Sequence, residues 1–240
     1  MTTTAYDLSA KLLTSDSRWS IELGTTKIAY VDDAGFDKIE IVGEHAFLFA
    51  GSSAGIDSWK KYIHAGGGLN IPDLNGIALF ALNVTTQEIL VSYGQDIALP
   101  NIDALKASFA GSGARHAAKC WEKNGCGRQA IETAKSLDYY TGGTTKFLEL
   151  ATKTHNLVNN IDVTQLGKQF LAKGMIMYIN GQSSQSVATA AANDTEVKEL
   201  CEKIAQGSIA LSAPCDAMMM EPTEEDNKKV RAAMQKIFGR

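Results

Sequence analysis

The chain has 240 residues, of which 45% are hydrophobic and 21% are charged, and its formal net charge is −4. This composition is ordinary for a water-soluble folded protein, and the lack of a basic run with interleaved aromatic residues argues against a nucleic-acid partner. The longest apolar runs, near 77–84 and 46–50, are much shorter than the roughly 20 residues that a membrane-spanning helix needs, so no membrane partner is expected.

The four cysteines and four histidines are scattered at spacings that match no metal-binding motif. We therefore expect neither a metal nor an organic cofactor. The sequence does not open with a basic region followed by an apolar core, so the expectation is a cytoplasmic protein with reduced thiols.

Strand patterns dominate the first 150 residues in chain order, and helical patterns dominate the rest. Strands are predicted at 2–8, 10–15, 38–42, 46–50, 76–84, 88–93 and 144–150, with strand-like sequence also at 19–31 and before the glycine-rich turn at 111–113. Helices are predicted near 56–63 and at 114–122, 128–137, 163–173, 194–206 and 223–237, while the Ser/Ala/Asn-rich stretch 182–193 receives no element. This order predicts an α+β protein with two sheets packed between helical layers.

The first two predicted strands form a hairpin that carries Thr2 at its open end. Because the ends of a hairpin meet, Asp16 and Arg18 should lie close to Thr2. The small residue after Met1 permits removal of the methionine, which would place a hydroxyl and a free amine on Thr2, a known nucleophile-base pair. On these residues alone, a frayed terminus without a role remains an equal alternative.

Six motifs occur along the chain in a recognisable order. They are Thr2-Thr3-Thr4, Asp16-Ser17-Arg18, Phe36-Asp37-Lys38-Ile39, Phe49-Ala50-Gly51-Ser52, Gly111-Ser112-Gly113 and Asp138-x-x-Thr141-Gly142-Gly143. Over roughly residues 2–150 the chain resembles the proteasome β-subunit family, including its bacterial relative HslV, within the N-terminal-nucleophile hydrolases. The resemblance implies a four-layer αββα sandwich over 2–151, with 152–240 as a mainly helical C-terminal extension of unknown role.

The resemblance assigns catalytic roles to the first of these motifs. Thr2 would be the nucleophile of a threonine-type endopeptidase, with its own amine as the base. Lys38 would lower the pKa of that amine, since like charges disfavour protonation, and Asp16 would hold Lys38 in place. Lys27 is the rival lysine, but it lacks the Asp-Lys-Ile context and the spacing to Gly51.

The remaining motifs supply an oxyanion donor and supporting hydroxyls. Gly51 matches the glycine whose backbone N–H meets the developing oxyanion. Ser112 matches a serine beside the nucleophile. Asp138 and Thr141 match an aspartate–serine pair that supports the terminal threonine, with threonine here in place of serine.

The substrate cleft follows from the same resemblance. Ser20 and Ser53 would offer contacts to an extended peptide, which binds by adding a strand to a sheet. Trp19, Phe36 and Phe49 would line the cleft, and the alternative that these aromatic residues belong to the core remains open.

The resemblance also implies an assembly. Family members form closed rings, so a homo-oligomeric ring that takes a peptide or unfolded-protein substrate is expected, with an ATP-dependent unfoldase as a possible partner. Two other functions remain open at this point. One is a catalytically inactive structural or assembly protein that retains Met1, and the other is a small-molecule amidase with the same nucleophile.

Overall fold

A computed structural model describes residues 2–100, 105–181 and 183–239. The described residues form fifteen strands, which are β1 (Thr4–Asp7), β2 (Leu12–Ser15), β3 (Trp19–Leu23), β4 (Lys27–Val31), β5 (Ile39–Val42), β6 (His45–Ser52), β7 (Ile77–Asn83), β8 (Ile89–Tyr93), β9 (Ile97–Pro100), β10 (Leu105–Ala110), β11 (Lys146–Glu149), β12 (Thr154–His155), β13 (Met175–Tyr178), β14 (Ser183–Ser186) and β15 (Ser212–Ala213).

Seven α-helices accompany the strands in the described part of the chain. They are α1 (Ser53–His64), α2 (Ala114–Asn124), α3 (Gly127–Leu137), α4 (Val163–Lys173), α5 (Val187–Asn193), α6 (Thr195–Ala205) and α7 (Glu224–Phe238). Their ends follow local sequence signals. Thr223 and Asp226 form a capping box at the start of α7, and Gly239 ends it in the left-handed conformation, which glycine adopts without steric cost.

The first sheet has six strands in the order β12-β11-β2-β1-β10-β9. The N-terminal strand therefore lies inside the sheet, between β2 and β10. Thr4 is paired with Ser15 on one side and with Ala110 on the other. This register brings the start of the chain next to the turn that follows β10.

The second sheet has nine strands, eight of them in the order β14-β13-β4-β3-β15-β6-β7-β8, with β5 also paired to β6. All the pairings in this sheet are antiparallel. The C-terminal region thus contributes strands as well as helices, since β13 pairs with β4 and β15 lies between β3 and β6. Only two residues of the chain, Ser212 and Ala213, make up this inserted strand.

Buried side chains form three large clusters around the sheets. Ala5 and Phe109 of the first sheet pack with α2 and α3. Tyr6 of the first sheet packs on Phe80 of the second, with ring centroids 4.8 Å apart. The other cluster joins the second sheet to α1, α4, α6 and α7 around Trp59. Apolar burial on this scale is the main source of folding free energy.

The mixed class with two sheets and helices, predicted from the sequence, is confirmed. The predicted helix at 163–173 coincides with α4, and those at 194–206 and 223–237 differ from α6 and α7 by one residue at either end. The stretch 182–193 contains β14 and α5, which were not predicted, and its first residue lies outside the described residues. No helix in the described ranges is long and apolar enough to cross a membrane.

Candidate active site

The start of the described chain is buried and hydrogen-bonded. Thr2 and Thr3 have no exposed surface. The backbone N–H of Asp16 donates to the Thr3 carbonyl at 3.0 Å, and the N–H of Gly113 donates to the Thr2 carbonyl at 3.3 Å. These contacts extend the hairpin past β1, so the threonines are fixed against the turn after β10. Met1 lies outside the described residues.

The carboxylate of Asp16 is the centre of the site. It is wholly buried, and a buried carboxylate needs several donors to offset its desolvation. One oxygen, Oδ1, accepts from the Thr2 hydroxyl, the Thr3 N–H at 3.0 Å and Lys38 Nζ at 2.8 Å. The other oxygen, Oδ2, accepts from the N–H groups of Arg18 at 3.1 Å and Gly142 at 3.0 Å.

Lys38 uses all three donors of its ammonium group in this site. Besides Asp16 Oδ1, its Nζ donates to the carbonyl oxygens of Asp16 at 3.1 Å and Arg18 at 2.7 Å. The side chain has 0% exposure, as has that of Asp16. Burial lowers the pKa of Lys38, and the charge of Asp16 opposes this shift, because an opposite charge favours the protonated amine.

Lys27 lies elsewhere. Its Nζ forms ion pairs with Asp194 and Glu196 of the C-terminal region, each at 2.7 Å. Of the two lysines considered from the sequence, Lys38 is therefore the one that contacts Asp16. Since the Lys38 ammonium and the Thr2 hydroxyl share one oxygen of Asp16, the two groups lie side by side.

A second hydrogen-bond chain connects the predicted supporting residues. Ser112 and Thr141 both donate to Asp138 Oδ2, Thr141 at 2.6 Å. The hydroxyls of Thr141 and Thr3 are 2.8 Å apart. Because the Thr141 proton is committed to Asp138, Thr3 must be the donor. The side-chain contact of this chain is thus with Thr3, one residue beyond the terminal threonine expected from the sequence.

The turn that carries Ser112 depends on its two flanking glycines. Gly111 has φ +103°, and a Cβ atom there would overlap the carbonyl oxygen of Thr2. A Cβ atom at Gly113 would overlap the hydroxyl of Thr3. Both positions therefore require glycine for the turn to pack on the two threonines. The sequence motif contains these glycines, but the sequence assigned a role only to the serine between them.

Gly51 lies near the end of β6 with φ +114°, and a Cβ atom there would overlap the carbonyl oxygen of Gly76. Position 51 therefore requires glycine, both because of its positive φ and because the backbone of Gly76 leaves no room for a Cβ atom. In the second sheet, Gly51 is paired with Ala213 of β15. Ala213 thus lies beside Gly51, the residue predicted to donate to the oxyanion of a substrate.

The predicted substrate-contacting serines also contact the C-terminal region. Ser212 is paired with Ser20 and donates from Oγ to the Ser20 carbonyl at 3.2 Å. Ser53 donates to the carbonyl oxygen of Leu211 from its N–H at 3.3 Å and from its hydroxyl at 2.5 Å. Both serines are therefore placed beside an extended strand.

The three predicted cleft aromatics lie in the core instead, which the sequence had left open as the alternative. Trp19, Phe36 and Phe49 are buried in the cluster between the second sheet and its helices. The indole of Trp19 donates to the Phe36 carbonyl at 2.8 Å. The same ring lies 5.3 Å from Lys38 Nζ, so it covers one side of the buried ammonium.

The sequence did not single out Asp96, which joins the site to the C-terminal region. Its Oδ2 accepts from the N–H of Gly111, and its Oδ1 accepts from the N–H of Asp216 at 3.0 Å. Burial raises the pKa of Asp96 to about 6, although the two N–H donors act in the opposite direction. No motif or periodicity in the sequence marks this residue, because the contact depends on segments far apart along the chain.

Arg18, part of a quoted motif but without an assigned role, closes the site on the side of Gly142. Its guanidinium binds both carboxylate oxygens of Asp32 at 2.8 Å and the carbonyl of Tyr139 at 2.7 Å. A Cβ atom at Gly142 would overlap the guanidinium. Throughout the described ranges, no group of three or more His, Cys, Asp or Glu side chains is arranged to hold a metal ion.

Solved structures that match the chain include two distant ones. The eukaryotic HslV from Trypanosoma brucei is 15% identical with a TM-score of 0.43, over 61% of this chain and 99% of that chain. BPH of Thiobacillus denitrificans, solved in complex with epoxomicin, is 13% identical with a TM-score of 0.44, over 62% of this chain and 98% of that one. No family model and no curated protein matches the chain.

Proposed function

We propose that the protein is a threonine-type hydrolase of peptide bonds, with Thr2 as its nucleophile after Met1 has been removed. One observation carries the proposal. The Thr2 hydroxyl and the Lys38 ammonium meet on the same carboxylate oxygen of Asp16, and all three side chains are buried. A nucleophile, a cation and an orienting carboxylate in contact are the components of an activated hydroxyl.

The chemistry follows from these contacts. A free α-amine on Thr2 has a reference pKa of about 7.7–8.0, and the neighbouring Lys38 charge lowers the pKa further. The neutral amine takes the hydroxyl proton as the oxygen attacks a peptide carbonyl, and then gives this proton to the leaving amine. The resulting ester on Thr2 is hydrolysed by water, which the amine activates in the same way.

Two further groups assist these steps in the proposal. The N–H of Gly51 donates to the developing oxyanion, a contact typically worth about 10²–10³ in rate. The chain of Ser112, Asp138 and Thr141 fixes Thr3, and through the backbone of Thr3 it positions Thr2. Ser112, Asp138 and Thr141 are therefore positioning residues.

The wider architecture belongs to the same proposal. The three buried clusters on and between the sheets support a four-layer αββα arrangement, with 2–151 as the hydrolase core and 152–240 as an extension. A cytoplasmic homo-oligomeric ring with an ATP-dependent unfoldase as its partner is proposed from the sequence resemblance alone.

Intact mass and covalent labelling test the proposed chemistry. We expect the purified protein to lack Met1 and to form a covalent adduct on Thr2 with a peptide epoxyketone or β-lactone. A Thr2→Ala variant is the matched control and should lose the adduct, while Thr2→Ser should keep it. The hydrolase would be ruled out if Met1 were retained and if no adduct formed on the wild type or on any other variant that binds peptide.

A non-catalytic protein of the same fold is the second candidate. It is favoured by the complete burial of Thr2 and by the residues of the C-terminal region that lie opposite Gly51. Retained Met1 would leave Thr2 without a free amine and therefore without a base. The mass measurement above separates the two candidates.

A further inference from the structure

In the second sheet, β15 from the C-terminal region of the chain fills the space between β3 and β6. β3 is paired with β4 on its other side, and β6 is paired with β7 on its other side. With β15 removed, the edges of β3 and β6 near Ser20 and Gly51 would face each other unpaired. Since adjacent strands lie about 4.8 Å apart, such a gap has the width of one extended strand.

The inserted strand is antiparallel to both neighbours and bonded to each. Ser212 is paired with Ser20 on one side and with Ser52 on the other, and Ala213 is paired with Gly51. Leu211, just before the strand, is buried and accepts two hydrogen bonds from Ser53. These are the contacts that an extended peptide makes when it adds to a sheet edge.

The continuation of this segment leads towards the catalytic residues. Cys215 is buried in a cluster with Ala50 and Ala110, which adjoin Gly51 and Gly111. The N–H of Asp216 and the N–H of Gly111 are bound by the two oxygens of Asp96. The segment thus passes from Ser53, across Gly51, to the turn that packs on Thr2.

We propose that residues 209–217 occupy the peptide groove of this protein as an internal pseudosubstrate, so that the chain excludes peptide substrates until this segment is displaced. The proposal rests on the proposed function for the identity of the groove. It deepens that function by naming its ligand as an extended peptide with an apolar side chain at the position of Leu211. Its regulation would be competition within one chain.

Two features of the segment favour its displacement. Its ladder is two residues long and is followed by Pro214, which has no N–H to donate. Both flanks are exposed. The turn at Gly207 precedes it, and Met219, which is 91% exposed, follows it. Pairing over only two residues between exposed flanks leaves few ladder hydrogen bonds to break, which lowers the free energy of local opening, while the buried side chains of Leu211, Ala213 and Cys215 oppose it.

Peptide binding in trans tests the proposal without requiring catalysis. The probe is a fluorescein-labelled peptide that copies residues 208–215 with Cys215→Ser. The released variant is Leu211→Asp, which places a charge in the buried anchor position. The matched control is Ala210→Asp, since Ala210 is the exposed neighbour of that anchor.

We expect the probe to bind Leu211→Asp with a Kd at least about tenfold lower than that of the wild type or of Ala210→Asp, measured by fluorescence polarisation. Equal binding to all three proteins, or no binding to a released variant that still melts cooperatively, would overturn the proposal. If Leu211→Asp does not melt cooperatively, Ser212→Pro gives the same test, because it removes a ladder N–H without burying a charge.

The two proposals fail in different ways. Selective probe binding by the released variant, with Met1 retained and no epoxyketone adduct, would support the internal segment and rule out the hydrolase. An adduct that forms equally fast in the wild type and the released variant would support the hydrolase and overturn the internal segment. If both hold, adduct formation should be at least about tenfold faster in the released variant.

Discussion

At the scale of single residues, the buried ion pair of Asp16 and Lys38 is central to the stability of the site and to the proposed chemistry. Each charge is compensated mainly by the other and by backbone groups. Removal of one partner leaves the other charge buried and unpaired, which is typically worth about 3–5 kcal/mol. Lys38 is therefore a structural residue as well as part of the proposed catalytic site.

The Lys38→Ala variant should lose about 3–5 kcal/mol of unfolding free energy and form no adduct on Thr2. Lys27→Ala is the matched control, because Lys27 makes a more exposed ion pair with Asp194, and it should lose at most about 1 kcal/mol. Urea denaturation gives both values. A stable Lys38→Ala protein that is still labelled would show that Lys38 does not serve Thr2.

The hydroxyl of Thr141 offers a second test at this scale. Thr141→Val keeps the shape but leaves the Thr3 hydroxyl without its acceptor, which should cost about 1–3 kcal/mol. Thr141→Ser restores the hydroxyl and should restore stability and labelling. If Thr141→Val changed stability but left the pH profile and the rate of labelling unaltered, the residue would be structural only.

The motif residues that the family resemblance named are far apart along the chain but lie close together in the structure. The structure brings Asp16, Lys38, Ser112, Asp138 and Thr141 to the N-terminal threonines. The sequence did not show that the hydrogen-bonded residues Ser112, Asp138 and Thr141 contact Thr3 and not Thr2. Which of the two threonines is contacted depends on how Gly111 and Gly113 pack against them, and this packing is visible only in the tertiary structure.

At the scale of elements, the segment around β15 is held by a titrating group. The closed arrangement raises the pKa of Asp96 to about 6, from an ordinary value of 3.8. A group whose pKa is raised in the folded state stabilises that state at low pH, and this contribution is lost as the pH rises through about 6. Cys215 and Asp216 are the titratable neighbours on the segment itself.

The wild type should therefore lose stability relative to Asp96→Asn between pH 4.5 and 7.5. With allowance for solvent screening, the effect is on the order of 1 kcal/mol, or roughly 2–4 °C in Tm. The difference between the two proteins at each pH removes the contributions of other groups, such as His45, whose pKa is lowered by burial. Parallel curves for the two proteins would show that Asp96 does not titrate in this range.

Elements with clear periodicity were predicted from the sequence, and the shortest ones were not. α4 and α7 repeat apolar residues at helical spacing and carry capping residues. A strand of two residues such as Ser212–Ala213 has no periodicity to detect. Its conformation comes from the two strands that flank it, so only the tertiary structure reveals it.

At the scale of the whole molecule, the sequence order was enough to predict two sheets with accompanying helices. It did not show that β13 and β15 of the C-terminal region join the second sheet. Long-range pairing of this kind depends on tertiary contacts that local propensity does not encode. In the first sheet, only the hairpin of β1 and β2 was predicted.

The proposed ring is tested by the mass of the particle in solution. Light scattering coupled to size-exclusion chromatography should give an integral multiple of the chain mass that is independent of concentration in the micromolar range. A closed ring repeats one heterologous contact, so its particle size is discrete. A particle with the mass of a single chain over this range would contradict the ring.

The burial of Thr2, which lies just before β1, also limits how the protein is best prepared. An affinity tag joined to the amino terminus would have to leave the molecule past two threonines that have no exposed surface, and it would convert the α-amine into an amide. A tag after α7, whose last turn ends at Gly239, avoids both problems. If the proposed hydrolase is correct, activity screens on N-terminally tagged material would therefore give false negatives.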